Sequence, residues 1–261
     1  GGGAAALAVL DALRPRYAWA RQVPEEDERI RAEYVEYPSP DGSGTMRAYM
    51  AVPTGGAAAR PGVLVIHENR GLNPYIEDVV RRFAAADFVA LGPDALTPLG
   101  GYPGNDDEGR ALQRQLDRDV MMEDWLAGFR FLRDHETTTG RIGAVGFCYG
   151  GGVVNTLATR LPDLGAGAPF YGSAPPLEDV PAIRAPLMIH YAGLDERVNA
   201  GWPAFKEALD TNGKAYIMHM YEGANHGFHN DTTPRYDEAA ARLAQDRTVA
   251  FFNEHLRDGA L

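Results

Sequence analysis

The feature that most limits what this chain can fold into is its exchange of short, apolar, strand-like runs with stretches of helical periodicity. Val63–His67 is a continuous apolar run ending in histidine, the pattern of a strand buried on both faces. Tyr75–Ala86 then places Ile76, Val79, Val80 and Phe83 on one helical stripe. Phe88–Gly92 reads as a strand, and Met121–Leu132 as a helix with Met121, Trp125, Phe129 and Leu132 on one face. Ile142–Phe147, Leu187–Tyr191 and Ala215–Tyr221 read as further strands, and Tyr236–Leu256 as a closing helix that buries Ala240, Ala244, Phe251 and Phe252. Ahead of these, Ala32–Tyr37 and Met46–Val52 flank the turn-forming residues 38–44, which predicts an antiparallel N-terminal hairpin. The alternation predicts an α/β fold with a mostly parallel central sheet and helices on both faces. Right-handed crossovers put the C-terminal ends of parallel strands along one edge, where ligands bind. The polar residues that directly follow strands are therefore the ones to examine: His67 to Arg70, Asp94, Cys148, Asp195 and His226.

At 261 residues the chain is long enough for one large domain with a well-buried core. A formal net charge of −11 argues against nucleic acid and membrane-surface partners, and no run reaches the roughly 18–20 apolar residues that span a bilayer. Cys148 is the one cysteine, so an intramolecular disulfide and a cysteine-built zinc or iron–sulfur site within one chain are excluded. Gly1–Leu10 is small and apolar, and Ala18-Trp19-Ala20 resembles a cleavage site. Residues 1–30 are read as a helical extension that docks on the domain, the rival reading being the remnant of an export leader. The compartment is left open between cytoplasm and periplasm.

Strand Ile142–Phe147 runs into Gly146-Phe147-Cys148-Tyr149-Gly150, followed by Gly151 and Gly152. A nucleophile flanked by glycines two residues away, between a strand and a helix, is the signature of a sharp turn that holds the side chain above the sheet edge. The helix starting near Tyr149 is expected to aim its N-terminal dipole at the sulfur and favour thiolate. A phosphate-cradling loop is rejected, because the Lys-Ser/Thr pair is missing and the glycine spacing does not fit a dinucleotide fingerprint. After the strand ending at Tyr191 comes Gly193-Leu194-Asp195, and after the strand ending at Tyr221 comes Asn225-His226-Gly227-Phe228. The order nucleophile, acid, histidine, each beyond a strand, is that of α/β-hydrolases. His226 is read as the base that takes the thiol proton, and Asp195, in preference to Glu196, as the carboxylate that orients it. His226 and His229 form a His-x-x-His pair, with His67 and Glu68 elsewhere, but the Gly227-Phe228 context is not helical and no metal is expected.

On these residues the sequence, from about Ala32 to Leu256, resembles the dienelactone hydrolase (carboxymethylenebutenolidase) family. The resemblance rests on His67-Glu68-Asn69-Arg70-Gly71, Gly146-Phe147-Cys148-Tyr149-Gly150-Gly151, Gly193-x-Asp195 and His226-Gly227-Phe228. It implies an α/β-hydrolase domain over residues 31–261 that opens esters or lactones without cofactor. It also implies that Glu68 takes part in activating the sulfur, and that the backbone N–H groups of Asn69 and Tyr149 form the oxyanion hole. Residue-level reasoning reaches the same hole, since one donor follows the nucleophile and another comes from the loop after the third strand. Family members hold a substrate carboxylate with arginines just after the histidine and after the fourth strand. Here those places read Phe228-His229-Asn230 and Leu96-Thr97-Pro98-Leu99, so dienelactone itself is not the expected substrate. Arg70 or Arg235 is the candidate substitute. Tyr102, Trp202 and Phe228, with Tyr75 and the glycine-rich loop 100–107, are expected to wall an aromatic, fairly neutral pocket for a small ester or lactone. Two alternatives stand beside hydrolysis through an acyl-cysteine: a non-catalytic protein of this fold with a redox-sensing or partner-binding thiol, and an acyltransferase using the same triad. The oligomeric state is not legible.

Overall fold

The computed structural model describes residues 21–56 and 59–257. Eight strands form a single sheet: β1 (Ile30–Ser39), β2 (Gly44–Pro53), β3 (Arg60–Ile66), β4 (Val89–Pro93), β5 (Thr138–Phe147), β6 (Ala166–Phe170), β7 (Leu187–Ala192) and β8 (Tyr216–Tyr221). Their order across the sheet is β1-β2-β4-β3-β5-β6-β7-β8. β1 and β2 form the expected hairpin, in register from Ile30↔Pro53 to Ser39↔Gly44, and β2 lies antiparallel on β4. From β4 through β3, β5, β6 and β7 to β8 every pairing is parallel.

The helices are α1 (Pro74–Ala85), α2 (Asp106–Gln113), α3 (Arg118–Asp134), α4 (Tyr149–Arg160), α5 (Glu196–Asn199), α6 (Trp202–Thr211) and α7 (Glu238–Leu256). Their starts are written locally. Asn73 caps α1 by accepting from the Ile76 N–H at 3.1 Å, with Pro74 in the first turn. Asp117 and Asp237 cap α3 and α7 in the same way. Period-two alternation in β3 divides the core, with Val63 and Val65 packing under α1 and α7 and Leu64 and Ile66 under α3, α4 and α6.

The N-terminal reading meets the structure only in part: residues 1–20 lie outside the described residues, and residues 21–29 form turns rather than helix. Those turns are anchored, since buried Asp78 accepts from the Val23 N–H at 3.0 Å and the Gln22 N–H at 3.2 Å. Among the described residues no helix is long and apolar enough to cross a membrane.

Candidate active site

Cys148 sits between β5 and α4 at φ 59°, ψ −116°, a backbone conformation unfavourable for a side-chain-bearing residue and held only by its surroundings. The glycines on either side are required by close approach. A Cβ on Gly146 would lie 2.1 Å from the Gly150 carbonyl oxygen, and one on Gly150 would lie 2.3 Å from the Ile66 oxygen. The first turn of α4 therefore nests against the end of β3, placing the Tyr149 backbone N–H at the sulfur and Asn69 along the same cleft.

His226, beyond β8, stands with Nε2 3.0 Å from the Cys148 sulfur and Nδ1 2.5 Å from Asp195 Oδ2. A carboxylate on Nδ1 fixes the proton there and leaves Nε2 bare toward the thiol. Asp195 is buried and its other oxygen accepts from the Val198 N–H at 3.3 Å, so the carboxylate caps α5 while it holds the ring. Glu196 is exposed and its side chain lies outside this chain of contacts.

Glu68 is buried, and its Oε1 accepts from Asn230 Nδ2 at 3.1 Å. Burial raises its carboxyl above the usual range, against the pull of Arg70. Burial first, and the Glu68 carboxylate second, push the Cys148 thiol up to about 11. The expectation of a resting thiolate is thus corrected: the Tyr149 N–H favours the anion, but desolvation and a neighbouring negative charge outweigh it, and the sulfur rests protonated.

The proposed pocket wall is also corrected. The cleft over Cys148 has a volume of about 840 Å³ and is lined by Asn69, Tyr149, Tyr171 and His226 around the sulfur. Arg70, Tyr102, Trp202 and Phe228 are not among its lining residues. Arg70 is buried and paired with Asp106 at 3.2 Å. Tyr102 donates its hydroxyl to Asp106 at 2.8 Å and its N–H to Asp94 at 2.7 Å. Trp202 packs on Tyr191, Phe205 and Tyr216, and Phe228 on Phe170, Tyr171 and Tyr221. Trp202 and Phe228 were recruited by the core rather than by the cleft, the commoner fate of such rings. Arg235 lies over Gly227 and within electrostatic reach of Glu68, also outside the cleft wall. Tyr75 is fully buried.

The remaining polar residues have structural partners. His67 accepts from the Ala95 N–H at 3.0 Å and places Nδ1 2.6 Å from the Glu68 carbonyl. His229 lies between the Tyr75 hydroxyl, at 2.5 Å, and Gln245, at 2.9 Å, and burial holds it down to about 3. The two members of the His-x-x-His pair therefore serve different partners. Asp94 gathers loop amides, accepting from Leu96 at 3.0 Å and Tyr102 at 2.7 Å.

Three contributors escaped the sequence reading. Gln113, at the end of α2, donates to the Glu68 carbonyl at 3.3 Å and accepts from the Gly71 N–H at 3.0 Å, clamping the loop after β3. Asn230 meets Glu68 as described. Tyr171, at φ 37° beyond β6, is buried with its ring 5.0 Å from that of His226. The position of Asn230, four residues past the histidine, was the one available signal.

The profile of the dienelactone hydrolase family matches residues 46–256. The chain is 57% identical over 112 residues to "Putative hydrolase fragment YghX" of Escherichia coli K12, covering 43% of this chain and 96% of that one. It is 28% identical over 214 residues to carboxymethylenebutenolidase 1 of Cupriavidus pinatubonensis, covering 79% of this chain and 90% of that one. Among solved structures, the dienelactone hydrolase-like promiscuous phosphotriesterase P91 from metagenomic libraries superposes with a TM-score of 0.76 at 22% identity, covering 88% of this chain and all (100%) of that one. The dienelactone hydrolase of Anabaena variabilis superposes with a TM-score of 0.67 at 19% identity, over 88% of this chain and 100% of that one. These two likenesses speak to the fold. With the family profile spanning both the parallel sheet and the loops beyond it, the chain belongs to the dienelactone hydrolase family and is an ester or lactone hydrolase of the α/β-hydrolase fold.

Proposed function

We propose that the chain hydrolyses its ester or lactone through a Cys148-His226-Asp195 triad and an acyl-cysteine intermediate, on a substrate other than dienelactone. The observation that carries this reading is the 3.0 Å approach of His226 Nε2 to the Cys148 sulfur, with Asp195 behind the ring. As the sulfur attacks the carbonyl carbon, its proton passes to Nε2, and the carbonyl electron pair moves onto oxygen. The N–H groups of Asn69 and Tyr149 are the proposed donors to that oxyanion. Collapse breaks the carbonyl–oxygen single bond, and His226 returns its proton to the leaving alkoxide, which stays tethered in a lactone. Water then attacks the thioester with His226 as base, releasing the acid and restoring the thiol. Glu68 keeps the sulfur neutral until substrate arrives, so that proton transfer is coupled to attack. A thiol held up to about 11 is poorly suited to redox sensing, which needs accessible thiolate.

Turnover of 4-nitrophenyl acetate by Cys148→Ala and Asp195→Asn tests the reading. We expect loss of burst and turnover in the first, with the fold retained. In the second we expect a fall of about 10³–10⁴ in kcat, as found when the orienting carboxylate of a triad is neutralised. Undiminished hydrolysis by Cys148→Ala would refute the acyl-cysteine.

A further inference from the structure

The cleft over Cys148 carries a charge opposite to that of the whole molecule. The chain has a net charge of −11, yet among the cleft's lining side chains Arg110, Arg114, Arg118, Arg160 and Arg197 face two carboxylates, Asp119 and Glu123. Glu123 is engaged by Arg160 at 3.2 Å, and Arg110 leans toward exposed Asp107 at 3.4 Å. Arg114, Arg118 and Arg197 have no carboxylate at ion-pair distance among the described residues. They come from separate elements: Arg114 from the end of α2, Arg118 from the start of α3 and Arg197 from α5. Arg197 is near enough for its charge to act on the Cys148 sulfur, and Arg118 near enough to act on the Tyr149 hydroxyl. Cationic side chains from three elements thus share the wall of the cleft that holds the Cys148 sulfur.

A single carboxylate is satisfied by one bidentate guanidinium. Several uncommitted guanidiniums spread around a cleft of about 840 Å³ match instead a group with two or more negative charges and several acceptor oxygens, the properties of a phosphoryl group. We propose that the substrate of this hydrolase is an ester or thioester bearing phosphate, remote from the scissile carbonyl, held by Arg114, Arg118 and Arg197. The assignment rests on the acyl-cysteine reading for what happens at the carbonyl, but not for where the anion binds. It also accounts for the absence of arginine beside His229 and Leu96: anion recognition has moved to the α2–α3 wall and to α5.

Because Cys148 is the only cysteine, its alkylation by iodoacetamide reports occupancy of the cleft without any need for turnover. At constant ionic strength and pH 9, rates are measured against increasing inorganic pyrophosphate, inorganic phosphate and glutarate. Pyrophosphate is expected to protect best and glutarate worst. In Arg114→Gln/Arg118→Gln and in Arg197→Gln, half-protection by pyrophosphate is expected to need about tenfold more anion, in line with field focusing by a charged cleft. Arg242→Gln, an exposed residue of α7 paired with Glu238, serves as the control for net charge and should protect like the parent. Equal or better protection by glutarate, protection unchanged in the arginine variants, or no protection by any anion would each overturn the proposal. Turnover of 4-nitrophenyl acetate, followed in parallel, separates the two readings: its absence counts against the acyl-cysteine and leaves the protection series intact.

Discussion

Replacing Gly150 by alanine would put a methyl carbon 2.3 Å from the Ile66 carbonyl oxygen and 2.6 Å from that of His67. Both obstacles are backbone, so neither can rotate away. Ordinary contact begins at 3.4 Å, and the first turn of α4 must therefore retreat from the end of β3 by about 1 Å. That gap separates the two proposed oxyanion donors, because Asn69 follows β3 and Tyr149 opens α4. A 1 Å misplacement of catalytic groups costs on the order of 10²-fold in rate, or about 2.7 kcal/mol of barrier. Overpacking adds a stability loss of roughly 1–3 kcal/mol, which in a domain of this size lowers Tm by about 2–4 °C per kcal/mol. Gly152 provides the internal contrast. A Cβ there meets nothing closer than 3.6 Å, and alanine in place of glycine within α4 should raise stability by up to about 1 kcal/mol. The assay is kcat/KM on 4-nitrophenyl acetate together with thermal unfolding of both variants. If Gly150→Ala kept kcat/KM within about threefold of the parent, the close nesting of α4 against β3 would not be what sets the oxyanion geometry.

The thiol offers a pH test. Raised from 9.0 to about 11, it leaves about a hundredfold less thiolate at neutral pH than free cysteine, so its alkylation should be slow and climb toward pH 11. The folded chain keeps a proton that the unfolded chain releases, so this group's contribution to stability falls as pH rises from about 9 toward 11. Glu68→Gln should move the alkylation midpoint down, and an unchanged midpoint would remove the carboxylate from the account. Asp78 is fully buried and receives Arg82 at 2.7 Å and Arg81 at 3.5 Å besides the Val23 amide. Asp78→Asn takes the carboxylate from Arg81 and leaves Arg82 with Asp231, at 2.9 Å, and should cost about 3–5 kcal/mol in urea unfolding; a loss under 1 kcal/mol would mean that water already screens the cluster.

The loops that carry Cys148, Asp195 and His226 could be located in the sequence because each follows a short run of mainly apolar residues whose exit is marked by glycine. β6 escaped notice for a physical reason. Ala166-Gly167-Ala168-Pro169-Phe170 lacks β-branched residues and contains proline, both signals against a central strand. Its residues are small because neighbours press on it: a Cβ on Gly167 would lie 2.8 Å from Leu187 and 3.2 Å from Val154. Losing that strand from the reading lost Tyr171, which the strand delivers to the histidine ring. The cleft wall was hidden differently. α2, with the sequence Asp-Asp-Glu-Gly-Arg-Ala-Leu-Gln, has almost no apolar stripe, so nothing in its pattern singled out Arg110 and Arg114. The aromatic rings Trp202 and Phe228, by contrast, were legible as residues but not as to direction, because periodicity says that a side chain is buried without saying against what.

The α2–α3 hairpin occupies the connection between β4 and β5 and is the source of Arg110, Arg114 and Arg118, whereas the reacting sulfur, imidazole and carboxylate leave β5, β8 and β7. Most of the proposed anion wall and the proposed triad are thus carried on different stretches of polypeptide, Arg197 beside Asp195 being the exception. A lineage could exchange residues 107–122 for another hairpin and change much of that wall while Cys148, His226 and Asp195 stay in place, provided that the replacement kept Asp106 on Arg70 and a clasp equivalent to Gln113 on the loop behind β3.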